Sequence, residues 1–272
     1  MYPEFFRIGP IAIRGYGLML TISFLLGVFY VYRASKKRKI DFNLLLSISY
    51  IMIFGGVAGA RLFYVLFHLE EFSGNWSSAI NPFHSGEFGI QGLNLYGGIL
   101  TAIILSYIYT RSKRLSAMQI FDLFAPTVGL GLIFTRVGCF LNGCCFGTPT
   151  GLPWGVSFPP NSIPSYVFGA EHLHPAQLYS SLYGLILFLV LHWRSKHKSF
   201  DGQVVSLLFI IEATFRYLIE YVRYYENDMK LSFMGIGATY NQVISVLLFL
   251  TGLAIYIIQC RKNPKSQPSN NK

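Results

Sequence analysis

Charge is scarce in this sequence. Only 12% of its residues are Asp, Glu, Lys or Arg, against about 25% in an ordinary soluble domain. So little charge argues against a water-surrounded globule and for a membrane class. The 53% hydrophobic content and a mean hydropathy of +0.45 agree. Cysteine is sparse too: Cys139, Cys144, Cys145 and Cys260 are the whole set, too few for a disulfide framework. The C-x4-CC spacing lacks the two paired knuckles of a structural zinc site, so no metal and no cofactor are expected. A local disulfide or plain buried thiols stay open. The N-terminal stretch MYPEFFRIGPIAIRGYG has no basic segment and no small-residue cleavage site before the first apolar run. That run is expected to be a retained span rather than a removed signal. No internal repeat is visible, and the polar tail 261–272 is expected to be disordered and cytoplasmic.

What is there is a series of long apolar stretches. A membrane helix needs about 20 mostly apolar residues. Seven stretches qualify, near 15–32, 44–67, 92–110, 117–138, 175–193, 202–223 and 238–260. The expected fold is therefore all-α, a polytopic membrane protein of about seven helices forming one integral domain over 1–260. Residues 139–174, rich in Gly, Pro and Cys and containing Trp154, are expected to form a small periplasmic cap between the fourth and fifth spans. The aromatic loop 68–91 is expected to lie at the periplasmic interface.

The sign of the charges sets the topology. Basic clusters at 33–39, 111–114 and 194–198 and the tail from Arg261 hold 15 of the 22 Lys and Arg. They follow spans one, three, five and seven, all on one side. The loops 68–91 and 139–174 contain neither residue. The positive-inside rule then puts the C-terminus in the cytoplasm and the N-terminus outside. The net charge of +10 is thus a topology signal and an attraction to anionic lipid, and no nucleic acid is expected.

Six ionisable residues break the apolar stretches: Arg61, Asp122, Arg136, Glu212, Arg216 and Glu220. Each costs at least about 2.5–3.5 kcal/mol inside a bilayer unless it faces a partner or a polar cavity. Arg61, Arg136, Arg216 and Glu220 share the outer level with Tyr16 and Tyr96, which suggests one polar cavity open to the outer leaflet. Glu212, Arg216 and Glu220 lie on one helical face; they are either a self-neutralising stripe or part of that cavity. Arg61 reads equally as a packing or snorkelling residue. Asp122, near the inner end of its span, reads best as a cap or as the partner of a loop lysine. Two arginines facing one cavity suit a phosphodiester, because guanidinium stays charged and forks onto phosphate oxygens. The most abundant phosphate at that depth is a lipid headgroup.

At these residues the sequence resembles the prolipoprotein diacylglyceryl transferase family. The longest stretch is DLFAPTVGLGLIFTRVGCFLNGCCFG (122–147), joined by RGYGLM (14–19), GGVAGARLFYVLF (55–67), LNLYGGIL (93–100), HPAQLY (174–179) and FRYLIEYVR (215–223). The resemblance implies transfer of the diacylglyceryl group of phosphatidylglycerol to the lipobox cysteine of preprolipoproteins, with glycerol phosphate leaving. It places Arg136 and Arg216 on the phosphate, Glu220 behind Arg216, and Tyr16, Asn142 and Gly147 in the lipid site. Gly97 and Gly98 serve either helix packing or close approach to the lipid. Tyr96 stands where the family's enzymes carry a histidine, a candidate base, and His174 is the alternative base, although its place before Pro175 also suits a helix cap. Cys139 and Cys144 occupy positions that are polar in those enzymes, Ser180 replaces a glutamate, and Thr135 replaces a glycine. A phospholipid-binding relative without catalysis, or with another acceptor, and an anion or lipid transporter are the competing readings.

Overall fold

The computed structural model describes residues 4–8, 11–72, 83–84, 87–88, 92–225, 230–233 and 236–262. Most of the loop 68–91, expected at the interface, and the tail from 263 lie outside them. The architecture is all-α. In chain order the helices are α1 (Gly15–Arg38), α2 (Phe42–Tyr50), α3 (Gly56–Phe67), α4 (Leu69–Phe72), α5 (Leu95–Ser112), α6 (Ala117–Asn142), α7 (Ile163–Phe168), α8 (Ala176–Lys196), α9 (Gln203–Ile219) and α10 (Tyr240–Arg261). A π-helical turn, Ile51–Gly55, joins α2 to α3 without a break. Short antiparallel hairpins such as Lys230–Phe233 against Ile236–Thr239 fill some connections.

Five stretches are long and apolar enough to cross a membrane: Gly15–Arg38, Phe42–Phe67, Ala117–Asn142, Ala176–Lys196 and Tyr240–Lys262. The expected third and sixth spans appear as α5 and α9, of 18 and 17 residues, and do not join that set. Helix ends follow local chemistry. Asn94 accepts from the Gly97 amide at the start of α5. Thr239 and Gln242 form a capping box on α10. The last turn of α1 carries Lys36, Lys37 and Arg38, which complement the helix dipole.

The chain divides into two compact units. Unit two holds Arg7–Ala12 and Tyr30–Ile120. Its α3 and α5 meet through small residues: a Cβ at Gly98 would lie 2.9 Å from the Gly56 carbonyl and 3.1 Å from Ala60. Side-chain-free surfaces let backbones approach and gain dispersion contacts, the main attraction between helices in lipid.

Unit one holds Met1–Phe6, Ile13–Phe29 and Phe121–Lys272. Here α6 is the spine. The part of α1 in this unit runs antiparallel to it, with Gly27 beside Thr127, Ser23 beside Gly131, and Tyr16 and Met19 against Gly138. On another face, Gly129 and Gly184 bring α6 and α8 together, and Ser181 Oγ donates to the Ile133 carbonyl at 2.9 Å. Gly252 seats α10 on Phe209 and Ile210 of α9. The outward faces are apolar, as Val246, Leu247, Leu250 and Ile258 on α10 illustrate.

Asp122 ties α6 to α9. It is fully buried, with Oδ1 accepting from the Val204 and Val205 amides and Oδ2 from the Gly202 amide and Lys198 Nζ, at 2.9–3.0 Å. Gly202 starts α9 without a side chain to cap it, so a carboxylate from another helix satisfies the orphan amides. The reading of Asp122 as a lysine partner holds, and the helix it caps is α9 rather than its own.

After α6 the chain folds into a small cap. Phe146, Phe158 and Leu173 form its core, with Phe140, Phe168 and Tyr224 packed against them. Backbone bonds lace it: Gly147 N to His174 O, Thr148 N to Val222 O and Thr150 N to His172 O.

Candidate functional site

Unit one brings together side chains from four helices. Tyr16, at the start of α1, packs its ring on Gly138, half a turn beyond Arg136 on α6, and its hydroxyl lies within electrostatic reach of the Arg136 guanidinium. From α9, Glu212 lies within reach of both Arg136 and Arg216. The two arginines, 80 positions apart, both act electrostatically on this carboxyl, and neither forms an ion pair with it among the described residues. The neighbouring Tyr183 hydroxyl from α8 faces the Glu212 carboxyl, and neither it nor Glu212 Oε2 has another hydrogen-bond partner among the described residues. The Tyr183 ring stacks on Phe215 at 3.7 Å, which fixes it there. Among the described residues Arg136 has neither a hydrogen-bond nor an ion-pair partner.

Arg216 is held differently. Its Nη2 lies 3.6 Å from Glu220 Oε1 and donates to the Tyr225 hydroxyl at 3.5 Å. Glu220 is itself clamped: Tyr225 donates to Oε1 at 2.7 Å and Thr239 Oγ1 to Oε2 at 2.8 Å. Asn241 Nδ2 donates to the Tyr225 hydroxyl at 3.2 Å. Burial pushes the Tyr225 hydroxyl up to about 12, so it remains a donor at neutral pH. A buried carboxylate with both oxygens satisfied is a rigid support for a guanidinium.

The cap side carries the rest. Gly147 lies where a Cβ would collide with the His174 and Val222 carbonyls, each at 2.6 Å, so its lack of a side chain is required by packing. His174 Nδ1 pairs with the Tyr179 hydroxyl at 3.3 Å, which also accepts from Trp154 Nε1 at 2.8 Å. Asn142 ends α6 and is exposed. Cys139, Cys144 and Cys145 lie beside it. Hydrogen bonds from the other two thiols push the Cys145 thiol down, and the Arg223 and Arg136 charges act the same way.

Tyr96, Gly97, Gly98 and Arg61 belong to unit two. Gly97 and Gly98 are buried, Gly97 against Phe63 and Gly98 against Gly56 and Ala60; both face α3. Tyr96 is half-exposed at the start of α5. Arg61 donates to the Gly92 carbonyl at 3.2 Å and lies over the Tyr64 and Phe72 rings, which accounts for it by packing.

Sequence reasoning missed Tyr225, Thr239, Asn241 and Tyr183. The T-x-x-Q capping box was a readable signal for Thr239, but its second task, donating to Glu220, depends on a contact 19 residues away. Functionally, the arrangement offers two cations, of which Arg216 is held by Glu220 and Tyr225, and one buried carboxyl, Glu212, among apolar helices. It can hold a phosphate ester and take up a proton.

Comparisons with known proteins identify the family. The family described as prolipoprotein diacylglyceryl transferase matches residues 3–258. Similar proteins include the phosphatidylglycerol–prolipoprotein diacylglyceryl transferases of Campylobacter hominis, 31% identical over 98% of this chain and 94% of that one, and of Clostridium tetani, 34% identical over 95% and 98%. The enzyme of that name from Bordetella parapertussis is 32% identical over 95% of each chain. Apolar helices and these relatives together make this a multi-pass membrane protein. By the extent of the match and the order of its motifs, the chain belongs to the prolipoprotein diacylglyceryl transferase family.

Proposed function

We propose that the protein transfers the diacylglyceryl group of phosphatidylglycerol to the lipobox cysteine of preprolipoproteins. The relatives named for that reaction support the chemistry. The observation that carries the site is that Arg136 and Arg216, from two different helices, both act electrostatically on the buried carboxyl of Glu212, while Glu220 and Tyr225 hold Arg216. In the reaction the cysteine sulfur bonds to the glyceryl carbon that carries the phosphate, that C–O bond breaks, and glycerol phosphate leaves with the bonding pair. The thiol must first lose its proton to become nucleophilic. The phosphate gains a negative charge as it leaves, and the two guanidiniums meet that charge.

Tyr16, Asn142 and Gly147 line the headgroup side of this site, with Gly97 and Gly98 shaping the helix surface near Tyr96. For the proton acceptor, Tyr96 holds the position of the family's histidine and His174 is a second candidate. Glu212 is a third candidate, because an arriving phosphodiester takes up the charge of the arginines that act on it and leaves its carboxylate, beside Tyr183, to accept a proton. The reaction side is periplasmic, in an inner membrane crossed by seven spans, which the one-sided basic clusters support.

The test gives purified protein labelled phosphatidylglycerol and a lipobox peptide. Thioether product with one glycerol phosphate released per peptide is expected. Binding without product would favour a non-catalytic relative, and lipid or anion flux without product a transporter. Glu212→Gln is expected to lower kcat about a hundredfold with little change in KM for phosphatidylglycerol. Full turnover there, with loss in Tyr96→Phe or His174→Gln, would reassign the proton. Glu220→Gln removes the charge that orients Arg216, a loss of about 1.5 kcal/mol, so kcat/KM should fall roughly tenfold. An unchanged kcat/KM would make Glu220 a structural residue only.

A further inference from the structure

The three cysteines of the cap lie where the fold, not their spacing, puts them. α6 ends in a Schellman motif: the Gly143 amide bonds to the Phe140 carbonyl at 3.2 Å and the Cys144 amide to the Cys139 carbonyl at 3.1 Å. Gly143 supplies the left-handed turn with φ of 72°. This motif sets the residue two past the helix end against the residue on the last turn, here Cys144 against Cys139. Cys145 then takes φ of 61°, a conformation uncommon for a residue with a Cβ, and returns its side chain to the same point. Gln177, buried on α8, fixes the turn by donating to the Cys144 carbonyl at 2.8 Å. The outcome is three sulfurs within 4.8 Å of one another, none in a disulfide.

We propose that Cys139, Cys144 and Cys145 form a trigonal thiolate site for Cu(I). Metal–sulfur bonds of about 2.3 Å separate the sulfurs of such a site by roughly 4 Å, so the observed cluster needs only a small contraction. A disulfide would need a sulfur pair at about 2.05 Å, together with an oxidant. Among the described residues no histidine nitrogen or carboxylate oxygen joins the group. Three sulfurs without a fourth donor suit Cu(I), which soft thiolates select, better than zinc, which in structural sites takes four ligands. The charges agree. Three thiolates around one monovalent cation leave two negative charges, and Arg136 and Arg223 are the cations that Cys145 faces. Arg223 Nε is buried with no hydrogen-bond partner among the described residues. Binding transfers no electron: Cu(I) replaces the thiol protons, which pass to solvent. The proposal does not rest on the transfer reaction, although the two sites share Arg136.

The experiment uses the full chain in detergent micelles, reduced and kept anaerobic, titrated with Cu(I) against a chromophoric Cu(I) chelator. One Cu(I) retained per chain is expected, with three sulfur neighbours per copper in X-ray absorption. Loading should shield three of the four cysteines from alkylation, leaving Cys260 reactive. Cys139→Ser and Cys145→Ser should each weaken binding at least about a hundredfold, while Cys260→Ser should bind as the parent does. Two or fewer sulfur neighbours in the unsubstituted protein would overturn the proposal, whatever the variants do. So would retention no better than in Cys139→Ser, tighter four-coordinate binding of Zn(II) in a parallel titration, or a disulfide among the three that resists reductant.

Discussion

Arg136→Ala is expected to lower diacylglyceryl transfer about a hundredfold to a thousandfold, the usual cost of removing one preorganised donor from a developing oxyanion. The loss should fall on kcat more than on KM. The phosphodiester carries one negative charge when it binds, and the departing glycerol phosphate carries nearly two. A guanidinium facing it therefore gains interaction energy as the C–O bond breaks, and only that gain lowers the barrier. Arg136→Lys should recover part of the rate, because lysine restores the charge without the bidentate fork. Stability should change little in either variant, since Arg136 has no hydrogen-bond or ion-pair partner among the described residues. Release of labelled glycerol phosphate measures the rate, and the thermal midpoint in detergent checks the fold. Turnover within about twofold of the parent protein would remove Arg136 from the site.

Asp122→Ala is expected to act on the fold instead, costing about 3–5 kcal/mol, as breaking a buried pair does. The substitution strands three amides at the start of α9, all of which bond to one carboxylate, and leaves Lys198 with Asp201 as its remaining partner. Since α9 carries Glu212 and Arg216, activity should be lost together with stability, and a supporting lipid that restores the thermal midpoint should restore turnover. Asp122→Asn should be milder, because the amide oxygen still accepts from the helix while the ion pair is gone. An Asp122→Ala protein that unfolds at the parent's temperature would show that the carboxylate merely fills space.

The two residues mark different degrees of legibility. Arg136 stood out because an unpaired charge in an apolar stretch is costly, and that cost is a property of the residue and its neighbours in sequence. Asp122 was visible for the same reason, yet its task was not: the amides it caps lie 80 to 83 positions away. The small residues at Gly129 and Gly184 look alike in sequence, and only the pairing of α6 with α8 shows that each makes room for the other. The cysteines show the limit most clearly. Judged by spacing, C-x4-CC is a poor metal motif. A helix-ending turn and a left-handed Cys145 nevertheless gather its sulfurs.

Composition and charge placement by themselves determined that this is a helical membrane protein and that its arginines needed a partner inside the apolar region. Both follow from transfer energies, which are paid residue by residue. Tertiary structure decided which carboxyl lies in the field of both arginines, which hydroxyls hold Glu220 still, and that three thiols meet. Those outcomes depend on contacts between helices distant in the chain, and no local pattern encodes them.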